Sequence, residues 1–317
     1  MNKYGLSSKA PSGKRLAGTI CRIMSMCFFT IILIAGVRAY GRRSILTHSG
    51  SISGGYTLTQ YYDITGGQAS FYTLTDNAGH LIVIDGGWAD NAEYVRQTIR
   101  YYGNHVDLWI LTHPHQDHIG AFNEIYANPN GITIDQIYDS PVDYDTVKNQ
   151  EKWDDITVFE KYLELTANAD NVTHLGRGDE FTALGLHFQV FNSYDEDVTR
   201  VSDDITNDSS LVFKVSSTSG SVSVLFMGDI KYQMEDTLEN LYGSRLDADY
   251  IQAGHHGNWS MSFEFYEAHA KKGILMDAPS WITTDSTYPA YELVNEIKSH
   301  GLDLYDHSTA PNRIALN

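Results

Sequence analysis

Apolar positions recur along the chain with two periods, and these predict alternating strands and helices. Alternating or continuous apolar runs at Tyr56–Ile64, Ala69–Thr75 and His80–Ile84 predict strands, with Asp76-Asn77-Ala78-Gly79 as the turn between the last two. Ala92, Val95, Ile99 and Tyr102 fall at helical spacing and predict a helix over Asn91–Tyr102. The run Val106–Leu111 reads as a buried strand. Residues 121–175 are mixed, polar and aromatic, with one helix expected around 156–167. Strands are then predicted at Leu186–Phe191, Ser210–Val215, Val222–Met227 and Asp249–Gln252, with a helix over Gln233–Tyr242. A helix at 263–271, a strand at 273–276 and a helix at 289–299 complete the pattern. No solenoid repeat is present. The two halves do resemble each other, each with strands, a helix and a His/Asp cluster at a strand end.

The first 39 residues differ from the rest. They hold six basic residues (Lys3, Lys9, Lys14, Arg15, Arg22, Arg38) and no acid. The apolar stretch Ile23–Val37 fits a signal-peptide core better than a full membrane span. Leu16–Val37 would span if Arg22 reached back to the interface. Cations before the stretch outnumber those soon after it, which predicts a domain outside the cytoplasm, secreted or membrane-anchored. A Gly/Ser-rich linker, 40–55, is expected to lead into one domain over 56–317.

The whole chain has 22 basic and 40 acidic residues, so the part after residue 39 keeps 16 basic against 40 acidic, a formal −24. Such a surface repels polyphosphates and disfavours nonspecific nucleic-acid binding, although a local cation site can still hold one phosphate. Both cysteines, Cys21 and Cys27, precede the domain. The domain therefore has no disulfide and no thiolate ligand.

The segment Thr112-His113-Pro114-His115-Gln116-Asp117-His118-Ile119-Gly120 concentrates chemistry at the end of the strand 106–111. Imidazole nitrogens and a carboxylate within six residues suit zinc or manganese. Pro114 is expected to stiffen the turn and Gly120 to let the backbone leave it. Two further strand ends carry candidates: Gly228-Asp229 after Val222–Met227, and Gly254-His255-His256-Gly257 after Asp249–Gln252.

That order of motifs resembles the metallo-β-lactamase superfamily, and more closely the extracytoplasmic domain of competence DNA-uptake channel proteins and their free-standing relatives. Ile84-Asp85-Gly86-Gly87, Gly178-Asp179-Glu180-Phe181 and Asn207-Asp208-Ser209-Ser210-Leu211-Val212 also match. The resemblance implies a four-layer αβ/βα sandwich with one or two metal ions, zinc or manganese, at the sheet edges. It implies that His113 and His115 hold the first ion, that Asp117, His118 and His255 hold the second, and that Asp229 bridges them. Asp85 would orient a ligand imidazole, while Asn207 and His256 would stand behind the ligands or face substrate. Asn207 occupies a place where many members have a third histidine. The early Gly-Gln-Gly-Asp motif reads here as Thr65-Gly66-Gly67-Gln68, so its carboxylate is lost.

The expected activity is that of an exported hydrolase using a metal-bound hydroxide, with Asp117 moving a proton. A phosphodiesterase is expected first, with a small or cell-surface diester favoured over long nucleic acid. A thioesterase- or lactone-type hydrolase, or a weakly catalytic binding module of the same fold, is the alternative. No obligate protein partner is evident from the sequence.

Overall fold

The computed structural model describes residues 44–47, 55–153, 155–217, 222–306 and 310–316. Residues 44–317 form one compact unit. The predicted signal or anchor segment lies outside the described residues. Among those described, no helix is long and apolar enough to cross a membrane.

Two sheets make up the centre. The first half supplies β2 (Tyr56–Gln60), β3 (Phe71–Thr75), β4 (Leu81–Asp85), β5 (His105–Leu111), β6 (Thr133–Asp139) and β7 (Val172–His174). These pair in sequence order, antiparallel up to β4 and parallel from β4 onward. The second half supplies β8 (Glu180–Ala183), β9 (Leu186–Asn192), β10 (Val212–Ser217), β11 (Ser223–Phe226), β12 (Ala248–Gln252), β13 (Ala270–Met276) and β14 (Asp303–Asp306). It repeats the plan, antiparallel up to β11 and parallel after it. The last strand, β15 (Asn312–Leu316), crosses back to pair antiparallel with β2.

The period-2 pattern decides which side chains meet. Ile82, Ile84, Leu108 and Ile110 face inward and pack with Phe188, Val190, Phe213, Val215, Val224 and Phe226 of the other sheet. Their neighbours Leu81, Val83, Trp109 and Leu111 belong to a second apolar cluster that includes Val95, Ile99, Ile119, Phe122 and Ile125 of the covering helices. Trp109 meets Phe122 edge-on at 5.1 Å. On the far side, Leu225, Ile251 and Ile274 share that cluster with Leu238, Tyr266 and Ile297. The result is the helix–sheet–sheet–helix sandwich that the motif order implied.

Several elements differ from expectation. Ser44–Thr47, inside the predicted linker, is a strand (β1) that pairs parallel with β8; a four-residue edge strand is too short to stand out in a Gly/Ser-rich stretch. The strand expected over Tyr56–Ile64 stops at Gln60, because Asp63 turns the chain by accepting from Thr65 N and Gly67 N at 2.8 Å each. Residues 116–127 are a helix with no predicted counterpart. Its apolar stripe, Ile119, Phe122 and Ile125, is short, and polar residues occupy its first turn. β6 and the 144–150 helix were hidden in the mixed region, and β14 and β15 follow the last predicted helix.

Gly120 is not the exit from a turn. It lies within the 116–127 helix, where a Cβ would stand 2.5 Å from the backbone nitrogen of Ala89. That close approach lets the helix seat against the loop after β4. Gly120→Ala is therefore expected to lose about 1–3 kcal/mol of stability by overpacking. Urea unfolding of the two proteins measures this, and an unchanged midpoint and slope would contradict the close contact.

Candidate metal centre

The candidate residues gather where parallel strands end. Asp85 closes β4, the His113–His118 segment follows β5, Asp229 follows β11 and His256 follows β12. Crevices beyond the carboxyl ends of such strands are where open α/β sheets place ligands. Here the ends of both sheets converge, and Leu211 N donates to Thr112 O at 2.9 Å to tie them together.

One donor atom each from Asp117, His118, Asp229 and His256 lies within 4.8 Å of the others, and all four residues are buried. His118 Nε2 stands 3.1 Å from Asp229 Oδ1. His256 Nε2 stands 3.3 Å from Asp229 Oδ2 and 3.2 Å from Asp117 Oδ2. His113 Nε2 is 3.8 Å from Asp229 Oδ2 and 3.0 Å from Nδ1 of His115. The two oxygens of Asp229 thus face three histidines drawn from both halves of the chain.

The position of the second histidine corrects the sequence reading. His255 was expected in the cluster and His256 behind it. The structure brings His256 in. Both residues take left-handed backbone angles, with φ of 46° and 54°, so strand alternation does not continue past Ala253. His255 Nδ1 instead donates to Asn258 O at 2.6 Å, and its ring lies 5.9 Å from that of Trp259. Asn207 is buried, and its Nδ2 donates to Asp204 Oδ2 at 2.8 Å.

The outer nitrogens of the ring pairs are fixed by partners. His118 Nδ1 donates to Asp85 Oδ2 at 2.8 Å, and His256 Nδ1 donates to Asp277 O at 2.8 Å. Each bond leaves Nε2 aimed into the cluster, the arrangement that orients imidazole ligands. Asp85 also accepts from Thr112 N and Thr112 Oγ1, both at 2.8 Å. Its φ of 52° is rare for a non-glycine residue, and these three donors hold it there.

Sequence reasoning assigned no role to several supporting residues. Thr112 orients Asp85. Ser210 Oγ accepts from Asp229 N at 2.9 Å. Gln252 Oε1 accepts from Met227 N and Gly228 N, fixing the turn that delivers Asp229. Gln68 Nε2 donates to Asp117 Oδ2 at 3.1 Å. The loop that carries Gln68 is pinned by Trp88 Nε1 on Gln68 O and Trp281 Nε1 on Gly66 O. The altered Gly-Gln motif was the available signal for Gln68, but long-range partners such as Trp281 leave no local trace.

The electrostatics favour a cation. Burial by itself would push the carboxyls of Asp117 and Asp229 up, yet His118 and His256 hold both well below the usual carboxylate range. Burial would likewise lower His118 and His256. Asp229 outweighs it with help from Asp85 at His118, which stands well above its ordinary value, and from Asp117 at His256, which is pushed up to about 10. Burial dominates at His113 and His255 and lowers both.

A divalent ion fits this donor set. His118 Nε2, His256 Nε2 and Asp229 Oδ1 are buried and make no hydrogen bond, although they converge on one place. Nitrogen and carboxylate donors without sulfur suit zinc, manganese or iron. Elsewhere, His105 groups with Asp107 and Asp135 at the start of β5 and β6. That group is only half-buried, with Asp135 exposed, and none of its atoms is a buried polar atom lacking a partner. It does not form a comparable centre.

Comparison with known proteins agrees with this architecture. A family model described as the metallo-beta-lactamase superfamily matches residues 64–132, which include Asp85 and the whole His113–His118 segment. No curated protein matches the chain. The fold is similar to that of YhfI from Bacillus subtilis, a metallo-beta-lactamase fold protein, with 13% identity and a TM-score of 0.50 over 83% of this chain and 100% of that one. It is also similar to CmlA from Streptomyces venezuelae, a diiron beta-hydroxylase, with 13% identity and a TM-score of 0.53 over 84% of this chain. This chain covers 55% of that protein's length. The family match thus spans the first ligand segment, and the sandwich, with its motifs at the expected strand ends, is the metallo-β-lactamase fold.

Proposed function

We propose that this protein is an exported, metal-dependent hydrolase of phosphodiesters. The observation that carries the reading is the buried Asp229 carboxylate, set between His118, His256 and His113 beside Asp117. Asp117, His118, Asp229 and His256 would hold one divalent ion, and His113 and His115 with Asp229 would hold a second. Such an ion supplies Lewis acidity and makes a water acidic near neutral pH. Asp85 and Asp277 O keep the ligand imidazoles in the tautomer that leaves Nε2 available. Asp117, which accepts from Gln68 Nε2, would take a proton from the attacking water. His255, bonded to Asn258 O and next to the exposed Trp259, would face substrate. Zinc and manganese are the first ions to test. Iron is included because the fold is shared with a protein described as a diiron beta-hydroxylase.

The formal −24 outside residues 1–39 bears on substrate size. A small diester brings one phosphate to the centre. Long DNA brings many, each repelled by like charge within roughly 8–10 Å at physiological salt. Turnover of bis(p-nitrophenyl) phosphate with added zinc or manganese is expected, lost in Asp117→Ala, with a higher kcat/KM than for duplex DNA and DNA cleavage improving at moderate salt. Efficient DNA cleavage that salt weakens would refute the preference for small diesters. The absence of diester turnover with every ion would refute the activity.

Metal uptake gives a separate check. His256→Ala is expected to lose most bound metal, and His255→Ala to keep it, when both are reconstituted and measured by elemental analysis. In the metal-free protein the raised His118 and His256 keep their protons at pH 7, and a cation binds only the neutral rings. Metal binding should therefore release protons and tighten as pH rises toward about 10. Calorimetry in buffers of different ionisation enthalpy measures the release. Proton-neutral uptake, or equal metal in the two variants, would contradict the ligand assignment.

Export rests on the N-terminal charge pattern and the apolar stretch Ile23–Val37. A reporter fused after residue 60 should be active outside the cytoplasm, and activity confined to the cytoplasm would overturn the proposal.

A further inference from the structure

Between β6 and β7 the chain makes an excursion, 140–171, that carries the helices Tyr144–Gln150 and Thr157–Thr166. A cavity of about 310 Å³, partly open to solvent, lies between the second helix and the ends of β6 and β7. Its apolar wall includes Val142, Phe159, Leu163 and Val172. A narrower cleft shares Asp139, Ser140, Phe159 and Tyr162 with it and continues to Leu111, His113 and Pro114. The two spaces thus share a wall, and the narrower one borders the candidate ligand His113.

Close-packed interiors leave few voids larger than a water, whereas small-molecule sites occupy roughly 300–1,000 Å³. The chemistry of the lining narrows the occupant. Neither space is lined by Lys or Arg. The acid common to both, Asp139, already accepts from the Tyr162 hydroxyl and the His174 ring. His174, the one imidazole lining the larger space, is already paired with Asp139, so neither a second phosphate nor a cationic group would find a partner without breaking that pair. A neutral, apolar substituent matches the wall.

We propose that this cavity binds the alkyl or aryl substituent of a substrate whose hydrolysable group sits at the His/Asp cluster. The inference rests on the phosphodiesterase reading for the identity of that group and deepens it to amphiphilic diesters. It gives the 140–171 excursion a role in selecting substrate.

The test is a homologous series of methyl, butyl and octyl p-nitrophenyl phosphate, turned over by the full-length metal-loaded protein. In each, the water oxygen bonds to phosphorus, the P–O bond to the aryl group breaks, and p-nitrophenolate leaves with the electron pair. Each added methylene is expected to raise kcat/KM by up to about fourfold, through KM. Leu163→Trp and Ala169→Trp fill the cavity from two sides, with folding checked by circular dichroism. Both should flatten the series and leave the methyl ester unchanged. Binding of 1-octanol to the metal-free protein, by calorimetry, gives a readout free of hydrolysis and should be saturable and lost in both variants. Octanol binding lost in both variants, with no diester turned over, would sink the phosphodiesterase reading and keep the apolar site. A flat series, alike in wild type and variants and without octanol binding, would overturn the cavity assignment and leave the activity standing.

Discussion

The arrangement of the site depends on placing the Asp229 carboxylate out of water among histidines from both halves of the chain. A buried charge costs several kcal/mol unless its field is answered by partners of opposite sign. Here the answer comes from His118 and His256, with Asp117 adding a second carboxylate to be compensated. In the metal-free protein, protons on the imidazoles supply the balance. A divalent ion supplies the same charge from one point and uses the nitrogen and oxygen lone pairs that otherwise make no hydrogen bond. Proton and cation would therefore compete for the same imidazole nitrogens.

That constraint explains the geometry around it. Two oxygens of one aspartate can meet donors from both sheets only if the strand ends converge. The inter-sheet core of Ile84, Ile110, Phe213 and Phe226 sets the spacing of the sheets. Gly228, at φ 54°, allows the turn into Asp229, and a Cβ there would stand 2.7 Å from Ser210. Gln252 holds the same turn from the next strand. These are backbone and packing devices remote from any substrate. They determine whether the ligand atoms meet within 4.8 Å.

The sequence was legible where a signal is local. Strand ends followed by His, Asp and Gly residues mark Asp85, the His113–His118 segment, Asp229 and the His255-His256 pair in the sequence itself. Periodicity found most of the central strands because Leu108, Ile110, Ile82 and Ile84 alternate with neighbours that are also apolar, as parallel strands covered on both faces require. It missed the 116–127 helix because the residues that face the cluster interrupt the helical stripe. It misassigned His255 because alternation was carried past Ala253 into a segment with left-handed backbone. Trp281 was beyond reach for a different reason: its partner Gly66 lies far away in sequence, and no short window contains both.

Charge and cavity point to the same kind of substrate by independent routes. The acidic surface acts at a distance, disfavouring ligands that carry many phosphates. The cavity beyond His113 acts by contact, and its lining has no cation to receive a second anionic group. A ligand with one anionic, hydrolysable centre and a neutral remainder satisfies both. The centre would then supply the attraction for the single charge, while the 140–171 excursion would supply selectivity through apolar area. Such a division would let a strongly acidic protein act on an anionic substrate. A bound cation would reverse the sign of the potential locally, and only over the few ångströms that one phosphate occupies.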